Sequence, residues 1–434
     1  MLQYGIANDG YPGPCADPLT VPVTAETGHG LGLSAELAEA LKPGHPFEFC
    51  LEDAIQCAER SMVPFGQRPN TGADAVRVVE EWLNLQRWQI RNLWTVDAAA
   101  GALARNEELG LPHEQYRRSA EILAEGVALL LLETRLHIPR KRFFFAPGGG
   151  PRPDFLGALK RHHRRGLAWK GKYLALEVRA RKSQARIYAS EADGLWNKKE
   201  RFALARKCAG MVSVYCFYGD GAHRNGDRRT RVHLADPEVP GEKLTDLDLL
   251  EIELMHYAGV MSRAGLPEYR VFIQRVLRYF PDYRRARGRR VGVGDFAVWI
   301  REDRATEADS VNTRGRPLVR GVAGREFVGA AYCPLIALLA AREAPELLDQ
   351  ARAGRLGAVV FRGVRREVLN LIEGHRWNEL LEDRSERQRS RDWNRVLRSD
   401  GSWRETFECA DRGSNEARWL FGHAPPNLRD RLRG

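Results

Sequence analysis

The sequence predicts an α+β protein in which a central segment with a mixed sheet lies between two mainly helical regions. Apolar residues recur at helical spacing over 114–136, which indicates a long amphipathic helix. Continuous apolar runs at 173–178 and 211–218 are typical of buried strands. A Pro-rich break at 236–241 ends the central segment. We therefore expect a mainly helical N-terminal region, an α/β core and a mainly helical, basic C-terminal domain, at residues 1–112, 113–235 and 242–434 respectively.

The N-terminal region is predicted to be helical because its apolar residues follow a helical spacing. We expect helices at residues 33–41, 47–61, 71–94 and 93–103. We interpret Trp82, Trp88 and Trp94 as core residues rather than as surfaces on which bases stack.

The C-terminal domain is predicted to begin with two helices, at 245–264 and 269–280. The run 284–290 holds five arginines and is expected to form a surface loop that contacts nucleic acid, because like charges repel one another unless an anion is present. The segment 291–300 is expected to be a strand. Beyond residue 362 arginines interleave with tryptophans, which fits either a small helical core with a solvated arginine face or a surface for phosphates and bases.

Composition favours an anionic partner. The chain has 434 residues, a net charge of +11 and a pI near 9.4, and nucleic acid is the commonest partner of such a protein. Seven scattered cysteines without a CxxC pair argue against a disulfide framework or a zinc site and fit a reducing cytoplasm. The N-terminus does not resemble a signal peptide, and the longest apolar run, 127–132, is too short to cross a bilayer. We therefore expect no membrane partner.

Asp154 and Glu177 are the candidate catalytic residues. Glu177 interrupts the apolar run 173–178, where a carboxylate is costly to bury unless it is paired or holds a cation. Side chains alternate along a strand, so Glu177 and Arg179 project from the same face. Asp154 precedes Glu177 by 23 positions, in a short segment that fits an edge of the same sheet. Two converging carboxylates suit a hard divalent cation, Mg²⁺ or Mn²⁺.

Two short motifs frame these acids, Pro153-Asp154 and Glu177-Val178-Arg179. Together they resemble the two halves of the PD-(D/E)xK motif of a nuclease superfamily, with Arg179 in place of the usual Lys. The resemblance covers roughly residues 114–220. It implies a restriction-endonuclease-like core made of a helix, three strands, a second helix (here 197–209) and a strand. It also implies a metal-dependent nuclease, a class that often serves in prokaryotic defence or DNA processing.

The resemblance implies further ligands and contacts. Members of the superfamily often take one more acid from the preceding helix, here Glu121 or Glu125 on one helix face. Arg179 is always charged, so it can hold a phosphate but cannot exchange protons as a Lys does. Basic runs would track the phosphate backbone through Arg161, Arg164, Arg165, Arg284, Arg285, Arg287, Arg289 and Arg290.

The main hypothesis is therefore a Mg²⁺-dependent endonuclease that acts in the cytoplasm, on DNA rather than RNA. The alternative is a non-catalytic nucleic-acid-binding subunit of a larger complex with a degenerate nuclease fold, which the Arg at position 179 favours. A third hypothesis is a mostly helical adaptor whose partner is an acidic protein. In the simplest interpretation, Asp154 only caps a turn and Glu177 only pairs with an arginine.

Overall fold

The protein is described here by a computed structural model. The described residues are 19–21, 23–25, 47–49, 51–58, 90, 93–97, 102–105, 113–135, 138–145, 154–158, 173–181, 210–217, 230–235, 245–287, 292–303, 317–332, 358–383, 388–389, 395–398 and 400–408. They fall into two compact units, residues 19–256 and residues 257–408, and the division lies inside one long helix.

The N-terminal unit combines short strands with long helices. Its strands are β1 (Leu19–Val21), β2 (Val23–Ala25), β3 (Phe47–Phe49), β4 (Trp94–Asp97), β5 (Ala102–Arg105), β6 (Phe143–Phe145), β7 (Phe155–Ala158), β8 (Tyr173–Arg181), β9 (Gly210–Phe217) and β10 (Arg231–Ala235). Its helices are α1 (Leu51–Cys57), α2 (His113–Arg135) and the first part of α3 (Asp246–Arg263).

Six of these strands form a mixed sheet in the order β2-β10-β9-β8-β7-β6. The strands β6, β7 and β8 form an antiparallel meander. The next strand, β9, runs parallel to β8, whereas β10 runs antiparallel to β9 and parallel to β2. Parallel neighbours need a long crossover, and residues 182–209 connect β8 to β9. The predicted α+β class is confirmed.

The helix α2 packs against α1 and against the strands β8 and β9. Its apolar run 127–132 is at most 2% exposed, so the helix lies in the core of this unit. Gly126 lets the two helix backbones meet closely, because a Cβ at this position would lie 1.9 Å from the carbonyl oxygen of Ala54. These contacts place α2 next to β8, the strand that carries Glu177.

A buried group of charges joins the turn before β6 to α3. The Lys141 Nζ lies 3.0 Å from one carboxylate oxygen of Glu253, and the Arg142 Nη2 lies 2.8 Å from the other. All three side chains are buried. Removal of one partner from a buried group of charges is costly, so this group stabilises the fold.

The C-terminal unit contains helices and a second six-stranded sheet. Its helices after α3 are α4 (Pro267–Arg287), α5 (Val293–Asp303), α6 (Arg366–Glu373) and α7 (Trp377–Glu382). Its strands are β11 (Leu318–Val322), β12 (Arg325–Tyr332), β13 (Ala358–Arg365), β14 (Gln388–Arg389), β15 (Arg395–Leu397) and β16 (Ser402–Glu408). The sheet is antiparallel throughout, in the order β11-β12-β13-β16-β15-β14. The prediction of a mainly helical C-terminal domain did not include this sheet, although helices hold more of the described residues of this region than strands do.

Part of the arginine excess is structural. Arg362 and Arg404 are register partners on β13 and β16, and both are buried. Burial lowers the pKa of Arg404 to about 9, because the apolar surroundings disfavour the charged form. Arg320 makes a two-pronged hydrogen bond to the buried Glu405, at 3.0 and 3.3 Å. Net charge alone therefore overstates the arginine that is available to an external anion.

The helix predicted at 93–103 is wrong for its described part, in which the strands β4 and β5 pair antiparallel. Tertiary contacts outweigh its Ala-rich helical pattern. The Trp94 Nε1 donates a hydrogen bond to Ser119 Oγ at 3.0 Å, and the Leu103 N–H donates to Thr230 Oγ1 at 2.7 Å. Trp94 is buried, as predicted. The helix predicted at 47–61 is confirmed only in part, since it begins with the strand β3.

The strand predicted at 291–300 is also wrong, because this segment forms the helix α5. Its buried residues Val293, Phe296 and Ile300 recur at helical spacing, and the glycines that flank Val293 lie at the helix start. The Asp295 Oδ2 accepts the Gly292 N–H at 3.0 Å, which satisfies a donor before the first turn. The two glycines are weak evidence for either a strand or a helix. The hydrogen bond from Gly292 to Asp295 is typical of a helix N-terminus.

The loop predicted over 284–290 is wrong for its described part. The helix α4 continues through Pro281 to Arg287. The buried Tyr283 anchors this last turn, since its ring packs 4.9 Å from that of Phe296 and 5.3 Å from that of Trp299. This packing offsets the hydrogen bond that a proline removes from a helix.

Several predictions fall on residues outside the described ranges. They are the helices at 33–41 and 197–209, most of the helix at 71–94, with Trp82 and Trp88, and the break at 236–241. The predicted helices at 114–136, 245–264 and 269–280 and the strands at 173–178 and 211–218 are confirmed.

Candidate functional site

Asp154 and Glu177 face each other across two neighbouring strands. Phe155 of β7 is the register partner of Leu176 of β8, so the antiparallel register places Asp154, one residue before β7, opposite Glu177. Phe155 and Leu176 are fully buried on the other side of the sheet. The alternation of side chains along β8 therefore separates an apolar face from a face with two carboxylates and Arg179.

The Arg179 guanidinium joins the two carboxylates. Its Nη2 contacts the Glu177 Oε1, and its Nη1 lies 3.6 Å from the Asp154 Oδ2. The same Nη1 donates a hydrogen bond to the Val178 carbonyl at 2.9 Å. The carboxylates thus converge on one cationic group, Arg179, and the pairing of Glu177 with an arginine is that of the simplest interpretation.

The orientation of Asp154 is fixed by the backbone of the neighbouring strand. Its Oδ2 accepts the Val178 N–H at 2.7 Å. This short, charge-assisted hydrogen bond holds the carboxylate at the edge of β8. The donor lies on the neighbouring strand rather than in a turn at Asp154, so this bond is not the turn cap of the simplest interpretation, and it coexists with the contact to Arg179.

The site is partly open. The Glu177 side chain is fully buried, whereas the side chains of Asp154 and Arg179 are 27% and 30% exposed. An approaching phosphate would therefore meet Asp154 and Arg179 first. Glu177 would act from beneath them, where the lower dielectric strengthens its electrostatic interactions.

The residues present fit Mg²⁺ in part. Mg²⁺ is usually held by one or two carboxylates with several retained waters, and Asp154 and Glu177 supply that number. The Arg179 guanidinium lies where their oxygens converge, so a cation would have to displace it. Within the described residues, no group of three or more His, Cys, Asp or Glu is placed to hold a metal.

The structure does not add Glu121 or Glu125 to the two carboxylates. Glu121 is 46% exposed and pairs with Arg118 at 3.5 Å, one turn earlier on α2. Glu125 is half-buried on the same helix and is not part of a three-acid group with Asp154 and Glu177. The third acidic ligand expected from the preceding helix is thus not seen at the site.

The predicted nucleic-acid contacts are described only in part. Arg284, Arg285 and Arg287 form the last turn of α4, in the C-terminal unit. The other arginines of the set, Arg161, Arg164, Arg165, Arg289 and Arg290, lie outside the described residues.

Sequence reasoning missed two features of these surfaces. It gave Arg179 a role toward phosphate but did not foresee its bridge between the two acids. It also overlooked Arg278, which lies two turns before Arg285 on the exposed side of α4. The spacing of seven residues was the available signal, but the predicted helix ended at Phe280 and separated the two arginines.

Comparison of the chain with models of protein families, with curated proteins and with solved structures found no match in any of the three. Among the helices that the structure describes, none combines the length and the apolar character needed to cross a membrane.

Proposed function

We propose that the protein is a metal-dependent nuclease that hydrolyses DNA phosphodiesters. The observation that carries the proposal is the position of Asp154 across from Glu177, with Arg179 in contact with both. Two carboxylates and one guanidinium at one point supply oxygen ligands for a divalent cation and a positive charge for the phosphate. A metal-dependent nuclease uses both in phosphodiester hydrolysis.

The order of the elements supports this proposal. The helix α2 is followed by the strands β6, β7 and β8 and then by β9. This is the order of the PD-(D/E)xK core, whose second helix corresponds to residues 197–209, outside the described ranges. We propose the same cytoplasmic setting, in defence or DNA processing, by analogy with that fold alone.

Each site residue has a distinct role in the proposed reaction. Asp154 and Glu177 would hold Mg²⁺ or Mn²⁺, which when bound supplies a Lewis acid for the phosphate and a lowered pKa for the attacking water. The Val178 N–H keeps Asp154 oriented. Arg179 would turn from the carboxylates to the phosphate and stabilise the charge that develops there.

The test is cleavage of plasmid DNA, single-stranded DNA and RNA, with Mg²⁺ or Mn²⁺, by the wild type and by Asp154→Asn and Glu177→Gln. The wild type should cut DNA only when the metal is present. Each substitution should lower the rate by at least about a hundredfold, the scale on which loss of one electrostatic group at a reaction centre is felt. DNA binding measured in EDTA should be retained.

The control is Glu326→Gln, which removes a carboxylate from an exposed ion pair with Arg366 in the C-terminal unit. This variant should cut DNA at the wild-type rate, because exposed pairs contribute little to stability. If both site variants cut as fast as the control, Asp154 and Glu177 are not the catalytic pair.

A second candidate function, a nucleic-acid-binding subunit without catalysis, is favoured by the contacts of Arg179. Its guanidinium already contacts both acids, and Glu177 is fully buried beneath it. In this function Arg179 is a permanent structural counter-ion. Binding of DNA without cleavage, for every substrate and metal in the assay, would favour this function over the nuclease.

A further inference from the structure

The helix α4 has a strongly basic exposed side. It carries six arginines against two acidic residues, Glu268 and Asp282. Arg278 and Arg285 are exposed on this side, whereas the exposed Arg287 lies on another side at the helix end, because two residues turn a helix by about 200°. Arg278 and Arg285 lie seven residues apart, so they project from the same side at a separation of about 10 Å along the axis. Arg275 lies one turn before Arg278 and extends this basic side toward the start of the helix.

The opposite side of α4 is aromatic and buried. The five aromatic residues of the helix, all of which are described, are buried: Tyr269, Phe272, Tyr279, Phe280 and Tyr283. Two of them hold the basic end of the helix in place. Tyr279 and Tyr283 pack on Trp299 of α5, at ring separations of 6.3 and 5.3 Å. The arginines therefore stand on a rigid support rather than on a loop.

We propose that the exposed side of α4 binds the phosphate backbone of duplex DNA. This inference deepens the proposed function by naming duplex DNA as the substrate class, and it assigns a contact surface other than the carboxylate site. Arg275, Arg278 and Arg285 make the contacts, each to a phosphate. A fixed row of arginines on a helix matches a regular row of phosphates and releases their counterions on binding.

The chemistry of the surface favours a duplex over a single strand. Proteins that bind single strands combine basic grooves with exposed aromatic rings on which the bases stack. The aromatic rings of α4 all point into the core, so its exposed side offers charge without a stacking surface. An exposed ion pair on this side, Arg285 with Asp282 at 3.6 Å, is a surface pair of small energy that a phosphate can replace.

The experiment measures binding of the full chain to a duplex DNA of about 20 base pairs, as a function of salt and in EDTA. The variant Arg275→Gln/Arg278→Gln/Arg285→Gln removes three charges from this side of the helix. It should weaken duplex binding at least about tenfold at about 100 mM salt. It should also reduce the slope of log K against log salt by about 2 to 3, near 0.9 for each lost phosphate contact. Because EDTA excludes cleavage, this result is independent of whether the protein is a nuclease.

The matched control is Arg301→Gln/Arg366→Gln/Arg376→Gln, which removes the same charge from other positions of the C-terminal unit. Arg366 and Arg376 are paired with Glu326 and Glu379, and Arg301 donates to its own helix. The proposal predicts a much smaller loss for this variant. An equal loss in both variants would reduce the effect to net charge and overturn the proposal.

Two further probes test the class of partner, namely a single-stranded DNA of the same sequence and a duplex RNA. The α4 variant should lose more affinity for duplex DNA than for either probe. An equal or larger loss on the single strand or on the RNA would overturn the assignment to duplex DNA. Wild-type protein that fails to bind duplex DNA even at low salt would also overturn it, and an acidic protein would then be the better partner.

Discussion

At the scale of single residues, Arg179 decides whether the two carboxylates can act. A planar guanidinium can contact two acids at once through different nitrogens, and Arg179 does so with Asp154 and Glu177. This contact stabilises a buried carboxylate that would otherwise be costly. It also places a permanent positive charge where a divalent cation would bind.

Replacement of Arg179 by lysine should favour binding of the metal ion. A lysine ammonium is a compact point charge on a flexible stem, so it neutralises one carboxylate and leaves the other accessible. We expect Arg179→Lys to lower the Mg²⁺ concentration required for half-maximal cleavage by about tenfold, the effect of about 1.4 kcal/mol in competing binding energy. A titration of the cleavage rate with Mg²⁺ measures this shift.

The comparison variant is Arg366→Lys, which makes the same change at an exposed ion pair in the C-terminal unit. It should leave the Mg²⁺ requirement unchanged. A half-maximal concentration that is the same in Arg179→Lys and in the wild type would mean that the guanidinium does not compete with the metal.

At the scale of elements, the close contact with α1 helps to hold α2 in its place against β8. Gly126→Ala should lower the free energy of unfolding by at least about 2 kcal/mol, because its new Cβ would overlap the Ala54 carbonyl oxygen, 1.9 Å away, and the backbone would have to move. Denaturation in urea, followed by circular dichroism, measures the loss.

Gly259→Ala in α3 provides the matched comparison. Its Cβ would meet its nearest neighbour, the Arg263 Nη1, at an ordinary 3.5 Å. This variant should gain about 0.5–1 kcal/mol, because alanine is the better helix former. A similar response in the two variants would show that the contact between α1 and α2 is not close enough to exclude a methyl group.

The elements that the sequence predicted are those whose own periodicity is strong. The long helix α2 and the strand β8 follow from their apolar spacing. The antiparallel pair β4-β5 and the helix α5 did not, because their form is set by contacts with distant residues and by one aspartate cap. The C-terminal sheet was missed for a related reason. Two of its strands, β14 and β15, are very short. The longer strands β13 and β16 carry Arg362 and Arg404, which are buried only because of their neighbours.

The candidate site could be predicted in part from the same rules. The alternation of side chains placed Glu177 with Arg179, and the motif named Asp154 as the partner. Neither rule fixes which strand lies beside which, so the position of Asp154 opposite Glu177 required the sheet register. Helix periodicity shows which residues share a helix face, but it does not show which residues pack against that face. The separation of Glu121 from the two carboxylates could therefore not be foreseen.

At the scale of the whole molecule, the two units divide the chemistry in this account. The N-terminal unit carries the two carboxylates, and the C-terminal unit carries the basic helix α4. Mutations should therefore affect DNA cleavage and binding to the DNA phosphate backbone separately. The site variants should keep affinity for duplex DNA, and the α4 variant should keep the metal requirement.

The most direct test of the central claim is a crystal structure with Mn²⁺, whose anomalous signal locates the ion. The account predicts a peak within about 2.5 Å of carboxylate oxygens of both Asp154 and Glu177, with Arg179 turned away from them. At millimolar Mn²⁺, the absence of a peak at this position, with Arg179 still in contact with both acids, would contradict the claim that they bind a catalytic metal.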